Sequence, residues 1–377
     1  EYTDLHNRKL SGKIFHDYLT TQENERFHYG HIWENLQKSV HPPLFYFLLH
    51  TVCSFTPDVF SPWQAGSINL VAFLLTLIVF YRLARLVIKD EYLAMIPVFL
   101  WGFSEAGIST ALFLRMYMLQ TLFAVCLIYE TTVMLKDNKA DKKRLFLIFI
   151  SAALGNLTQF SSLVFAFVVT AVTDIVLLYR KNWKTLILFS FTMLLSVAVL
   201  FAVYPQAFDV LFHSMRGTQN AQRVSGLFEN LSTLWVAVLY SNAYSHIFEI
   251  YFSSLLHMEK MPDIYLLAAA VAVWLILRFR HISCSVESKV LLTVVILLTL
   301  YLDFTMPDMG IFKMRYFMLL IPFAALILVY AATVMLSALH VPLNVSRLIF
   351  AGLAVIAGIS VDFKHSAFAI PITTETA

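Results

Sequence analysis

"WQAGSINLVAFLLTLIVFYRLARL", residues 63–86, decides the fold class. A bilayer core of about 30 Å is crossed by about 20 mostly apolar residues in a helix, and this run meets that length. It closes on Arg82 and Arg85, with Lys89 just beyond. An apolar run sealed by cations is the pattern of a membrane span whose basic end stays in the cytoplasm. Working outward, further runs of this kind lie at 93–112, 116–135, 145–157, 161–179, 186–204, 264–277, 290–304, 316–336 and 348–359. The expectation is an all-α, polytopic membrane protein of about ten transmembrane helices, some short enough to need tilt or local thinning.

Composition points the same way. Of 377 residues, 59% are hydrophobic and 14% are charged, against about a quarter charged in soluble domains. A net charge of +3 is too small to argue for nucleic acid, and the basic residues sit between apolar runs, where the membrane accounts for them. No nucleic-acid partner is expected. Cys53, Cys126 and Cys284 are odd in number and widely spaced, which indicates neither a disulfide framework nor a zinc site. The chain opens on Glu1 and stops at Ala377 in a polar tail; both ends are expected to continue in the natural protein.

Every second connection is basic. Arg82, Arg85 and Lys89 lie in one, Lys136, Lys139, Lys142, Lys143 and Arg144 in another, then Arg180, Lys181 and Lys184, then Arg278, Arg280 and Lys289. The positive-inside rule puts these in the cytoplasm. It leaves outside a first loop (1–62), a second long loop (205–263), the short turns before Arg115 and at 155–160 and 306–313, and a tail (362–377), joined by membrane helices over 63–204 and 264–361. Residues 44–55 are apolar but too short to cross, and are expected to lie along the interface or re-enter. In the second long loop, a mobile stretch is expected to precede an interfacial helix.

The outer side gathers chemistry. In "SVHPPLFYFLLH", residues 39–50, Pro42 and Pro43 fix two backbone angles and push His41 out of helix, so His41 is expected in a held turn opening a helix. Arg115 and Tyr117 begin a span in "LFLRMYMLQTLF"; Lys313 and Arg315 begin another in "GIFKMRYFMLLIPF". Each alone reads as a snorkelling anchor. Gathered at one leaflet, where short loops disfavour basic residues, they suit a phosphate or diphosphate. Acids complete the set: Glu1, Asp4, Asp17, Glu23, Glu25 and Glu34 in the first loop, Asp303 and Asp308 later. A carboxylate beside a phosphate site can act as general base on an acceptor hydroxyl or hold a divalent metal, the one cofactor the pattern leaves open. His28 and His31 in "HYGH" are diluted by scattered histidines and do not define a metal centre. There is no Gly-x-Gly-x-x-Gly, Walker loop or His-Glu-x-x-His, so nucleotide hydrolysis and zincin chemistry have no support.

"VHPPLFYFLLH" closely resembles the "HPPLYYLLLH" element of GT-C membrane glycosyltransferases of the protein O-mannosyltransferase and aminoarabinose transferase superfamily, the glycosyltransferase family 39-like enzymes. "LRMYML" is similar to that family's "ARMYALL", "KMRYFMLLIPF" to its "RYLLPALPF", and Glu1-Tyr2-Thr3 to the tail of its outer acidic motif, whose Asp lies beyond this chain. The resemblance covers the span order and most of the chain. It implies a GT-C fold and an inverting transferase that takes a sugar from a polyprenyl-phosphate donor on the outer face of the cell membrane and passes it to a glycan, lipid or protein acceptor. By position, Glu1 would belong to the catalytic acidic pair, and His41, Arg115 and Arg315 would bind the donor phosphate with help from Tyr117; Lys313 joins them as a nearby donor. Two other readings share these residues. A transporter or flippase for a lipid-linked sugar or anion would use the arginines as an anion site, and a non-catalytic scaffold would leave the cations pointing apart.

Overall fold

The computed structural model describes residues 11–37, 39–212, 255, 285–305 and 314–359. Within them every regular element is helical. The first outer segment folds into α1 (Gly12–Leu19), a 3-10 turn (Glu23–Glu25), α2 (Tyr29–Gln37) and α3 (Leu44–Ser54). Next come α4 (Pro62–Ile88), α5 (Met95–Gly102), α6 (Glu105–Leu112), α7 (Tyr117–Asp137), α8 (Lys142–Thr158), α9 (Ser161–Tyr179), α10 (Trp183–Val203) and the short α11 (Ala207–Phe212). The remainder is α12 (Val286–Thr305), α13 (Met314–Phe317), α14 (Ile321–Ala338) and α15 (Leu343–Ile359).

Helix limits follow local chemistry. Ser61 caps α4 by accepting from the Trp63 N–H at 3.3 Å, and Pro62, which has no N–H to lose, takes the first turn. The helix stops at Lys89 in the left-handed region (φ 62). α7 ends likewise at Asn138 (φ 49), and Asp141 starts α8 by accepting from the Arg144 N–H at 2.9 Å.

Among the described residues five helices, α4, α7, α9, α10 and α14, are long and apolar enough to cross a membrane, and six if α5 and α6 count as one broken span. The expected spans at 145–157, 290–304 and 348–359 fall in α8, α12 and α15; the one at 264–277 lies outside the described residues, as does nearly all of the second long loop. α7 is the central helix, with 83% of its most apolar stretch buried among α4, α8, α9 and α12, whereas α10 buries only 28% and turns Ile187, Phe191 and Leu194 outward. On α4, Leu70, Val71, Leu74, Leu75 and Ile78 form an exposed stripe at helical spacing, while Asn69, Ala72, Thr76, Phe80 and Leu83 pack inward. Apolar faces turned out and polar residues turned in are what a lipid solvent selects.

Two expected spans are interrupted. The run 93–112 is not one helix: α5 and α6 meet at 61°. Ser104 caps α6, its Oγ accepting from the Gly107 N–H at 3.1 Å, and Gly107 approaches the Trp101 carbonyl so closely that a Cβ there would sit 2.0 Å from that oxygen. A new cap in mid-run and a residue with no side chain make the bend. The run 316–336 begins with the single turn α13 and restarts as α14, where Pro322 occupies the first turn.

The bundle has two chemically distinct ends. At one, Arg180 donates to the Leu135 carbonyl, the Asn182 amide donates to the Asn138 carbonyl at 2.8 Å, Arg85 pairs with Glu91, Arg144 with Glu130, and Arg347 with Asp90 at 2.6 Å. These contacts join the basic loops after α7 and α9 to each other and the loop after α4 to α15. At the other end α2 and α3 pack on the ends of α8, α9 and α10: the Tyr204 hydroxyl donates to the Leu36 and Ser39 carbonyls at 2.8 and 3.0 Å, and Trp33 stacks on Phe47. α3 is a packed element, with Phe45, His50 and Ser54 buried.

Candidate functional site

The site lies at the second end, where α3, the α6–α7 link and α13 meet. The two prolines act as expected: helix α3 begins at Leu44 directly after Pro43, and His41 precedes it in a turn, its N–H bonded to the Ser39 Oγ at 3.3 Å. The His41 ring faces Tyr46, one turn into α3, with centroids 6.3 Å apart.

Arg115 is positioned from a different part of the chain. Asn69, fully buried on α4, donates its amide to the Phe113 carbonyl at 2.6 Å, and the Arg115 N–H bonds to that same carbonyl. The turn between α6 and α7 is thereby fixed, and Arg115 Nη2 comes 3.4 Å from His41 Nε2, across 74 residues of sequence. An arginine can only donate, so in a hydrogen bond between the two His41 Nε2 is the acceptor.

Tyr117 opens α7, buried, its ring stacked on Phe113 at 5.5 Å and edge-on to Tyr316 at 6.3 Å. It lies within electrostatic reach of both Arg115 and Arg315, and of Tyr46 and Tyr316. Arg315 places its guanidinium 5.0 Å from the Tyr316 ring centre and its Nη2 3.3 Å from the Tyr316 hydroxyl. Of the sequence-selected residues, His41 meets Arg115, Tyr117 and Arg315 both meet Tyr316, and Tyr117 feels the charge of both arginines. Glu1 and Lys313 lie outside the described residues, as does Asp308; Asp303 is described by its backbone alone, on α12.

Tyr46 and Tyr316 belong to the cluster and were not singled out from sequence. Tyr316 follows Arg315 directly, and Tyr46 sits five residues after His41; a hydroxyl inside an otherwise apolar run beside a cation is the signal that could have found them. The arrangement offers guanidinium donors, an imidazole and phenolic hydroxyls in one place, a set suited to a phosphate oxygen cluster. Among the described residues no group of three or more His, Cys, Asp or Glu side chains could hold a metal ion.

Fold and site together describe an α-helical membrane protein with a polar cluster at the end opposite its basic loops. No family model matches the chain, and no curated protein or solved structure matches it either.

Proposed function

We propose that this protein is a GT-C-type membrane glycosyltransferase that moves a sugar from a polyprenyl-phosphate donor to an acceptor on the extracytoplasmic face. The observation that carries the reading is the meeting of His41 with Arg115, with Tyr117 in the field of both Arg115 and Arg315, at the end away from the basic loops. A lipid-linked donor keeps its tail in the bilayer and its phosphosugar at the interface, so apolar helices capped by outward cations match it. Phosphate departs in the reaction, and cations aimed at its growing charge lower the barrier. In this reading Arg115, Arg315 and His41 hold the departing phosphate, Lys313 assists, and Glu1 acts at the acceptor hydroxyl as base or through a divalent metal. The ten-span arrangement and the outward orientation belong to the same proposal.

The α5–α6 bend favours a second reading, a lipid-linked sugar or anion flippase, because transporters build sites on broken helices. The two readings part in one experiment. Full-length protein in liposomes is given a polyprenyl-phosphate sugar and an acceptor panel, and both new glycosidic bonds and lipid translocation are measured. The transferase reading expects glycosidic product, lost in Glu1→Gln. Translocation without product, unaffected by Glu1→Gln, would establish the flippase instead.

A further inference from the structure

At the basic end, opposite the candidate site, α5 and α15 lie side by side and leave a groove of about 850 Å³ between them. Its walls are apolar: Phe99 on α5 and Phe103 just after it, Leu348, Ala351 and Val355 on α15, most of them exposed. Its mouth is polar. Arg347 and Asn344, on the first two turns of α15, line it together with Tyr92, and the Arg347 guanidinium lies 4.8 Å from the Tyr92 ring centre.

Of the residues that line the groove, Arg347 alone is charged. Arg347 donates to Asp90 at 2.6 Å through Nη2, while its Nε, shielded from solvent, has no hydrogen-bond partner. Asp90 has other work besides, accepting the Tyr92 and Leu93 N–H groups at 3.1 and 2.9 Å. The N-terminus of the 17-residue α15 adds its unsatisfied N–H groups and the positive end of its dipole.

We propose that this groove binds one anionic phospholipid from the leaflet on the basic-loop side, an acyl chain lying along Phe99, Phe103 and Ala351 and the phosphate at Arg347 and the start of α15. An apolar trough with a guanidinium and a helix N-terminus at its mouth fits that amphiphile and not a soluble anion, which would gain nothing from the walls. The site is independent of the transferase reading: it uses other helices and the other end of the bundle. It would tie α15 to α5, one half of the broken α5–α6 pair, and so brace the bend that leads into Arg115.

The test is native mass spectrometry of the protein released from nanodiscs of equal phosphatidylglycerol and phosphatidylcholine. The expected result is one retained phosphatidylglycerol per chain. Ala351→Trp, which fills the trough from an exposed position, should abolish retention, and Arg347→Gln should reduce it at least about tenfold, because a charge-assisted phosphate contact contributes about 1.5–3 kcal/mol. Arg85→Gln, outside the groove, should leave it unchanged. Equal retention of both lipids, or retention that survives Ala351→Trp in protein with unchanged thermal unfolding, would overturn the proposal.

Discussion

At the basic end of the bundle Arg144 meets Glu130, Arg85 meets Glu91 and Arg347 meets Asp90, whereas at the opposite end Arg115 meets a histidine. Among the described residues no carboxylate forms an ion pair with Arg115. At the basic end each of these cations has a carboxylate partner that ties helix ends together. The other end collects donors and hydroxyls around Tyr117 instead. Ion pairs that serve stability and a cluster that, as proposed, receives an anion would differ in that respect, and substitutions at the two ends should therefore fail differently.

The largest expected effect is on turnover. Arg115→Ala should lower transfer from a polyprenyl-phosphate sugar by about 10²–10³-fold, the loss typical when a donor to developing charge is removed, with little change in the unfolding temperature. A stability loss with activity retained in the surviving fold would return Arg115 to the role of a helix anchor.

Arg144→Ala should do the reverse. It leaves Glu130, whose side chain is 12% exposed, with a buried charge and no cation. Breaking such a pair costs about 3 kcal/mol, to be read as lowered thermal unfolding, while the donor affinity of folded protein stays unchanged. Asn69→Ala sits between the two ends in character. Loss of its bond to the Phe113 carbonyl should cost about 1–3 kcal/mol and also weaken donor binding, because that bond fixes the turn carrying Arg115. Equal donor affinity in Asn69→Ala would show that the turn holds itself.

Acid should act on the site end through His50 on α3. Burial chiefly holds its imidazole below the ordinary value of 6.5, with His28 and His31 lowering it further and Glu25 opposing. The unfolded segment therefore takes up the proton first, and stability present above pH 6.5 declines as pH falls through and below that value. Hydrogen exchange in α2 and α3 should rise on acidification from about pH 7 to 5, and His50→Phe should flatten that rise. The smallest effect is expected at Arg85–Glu91, both half or more exposed: Arg85→Gln should change stability by no more than about 1 kcal/mol.

Much of this architecture was legible in the sequence, for reasons that differ by region. Apolar runs of membrane length closed by Arg and Lys gave the helices, because lipid leaves the backbone few alternatives. Pro42 and Pro43 gave the start of α3 and the turn holding His41, since proline restricts backbone angles whatever surrounds it. The bend at Ser104 was missed: "FSEAG" reads as part of a span until Gly107 is seen to touch the Trp101 carbonyl, a contact across the break that hydropathy does not register. Proline at 322 similarly divides what reads as one run into α13 and α14. Tyr46 and Tyr316 were hidden among the 17 tyrosines and 33 phenylalanines of the chain, most of which serve packing. That Arg115 and His41 touch was expected only from their shared leaflet and the family resemblance; the bond from Asn69 that arranges it has no sequence signature.

The central claim is that His41, Arg115 and Arg315 gather to hold a lipid-borne phosphate. Its most direct test is an electron cryomicroscopy map of the full-length protein in nanodiscs supplied with a polyprenyl phosphate. The account predicts phosphate density within hydrogen-bond distance of the Arg115 guanidinium and the His41 imidazole, with Arg315 facing it and the isoprenoid chain leading into the bilayer. A well-resolved lipid phosphate bound elsewhere, with Arg115 and Arg315 turned apart, would contradict it.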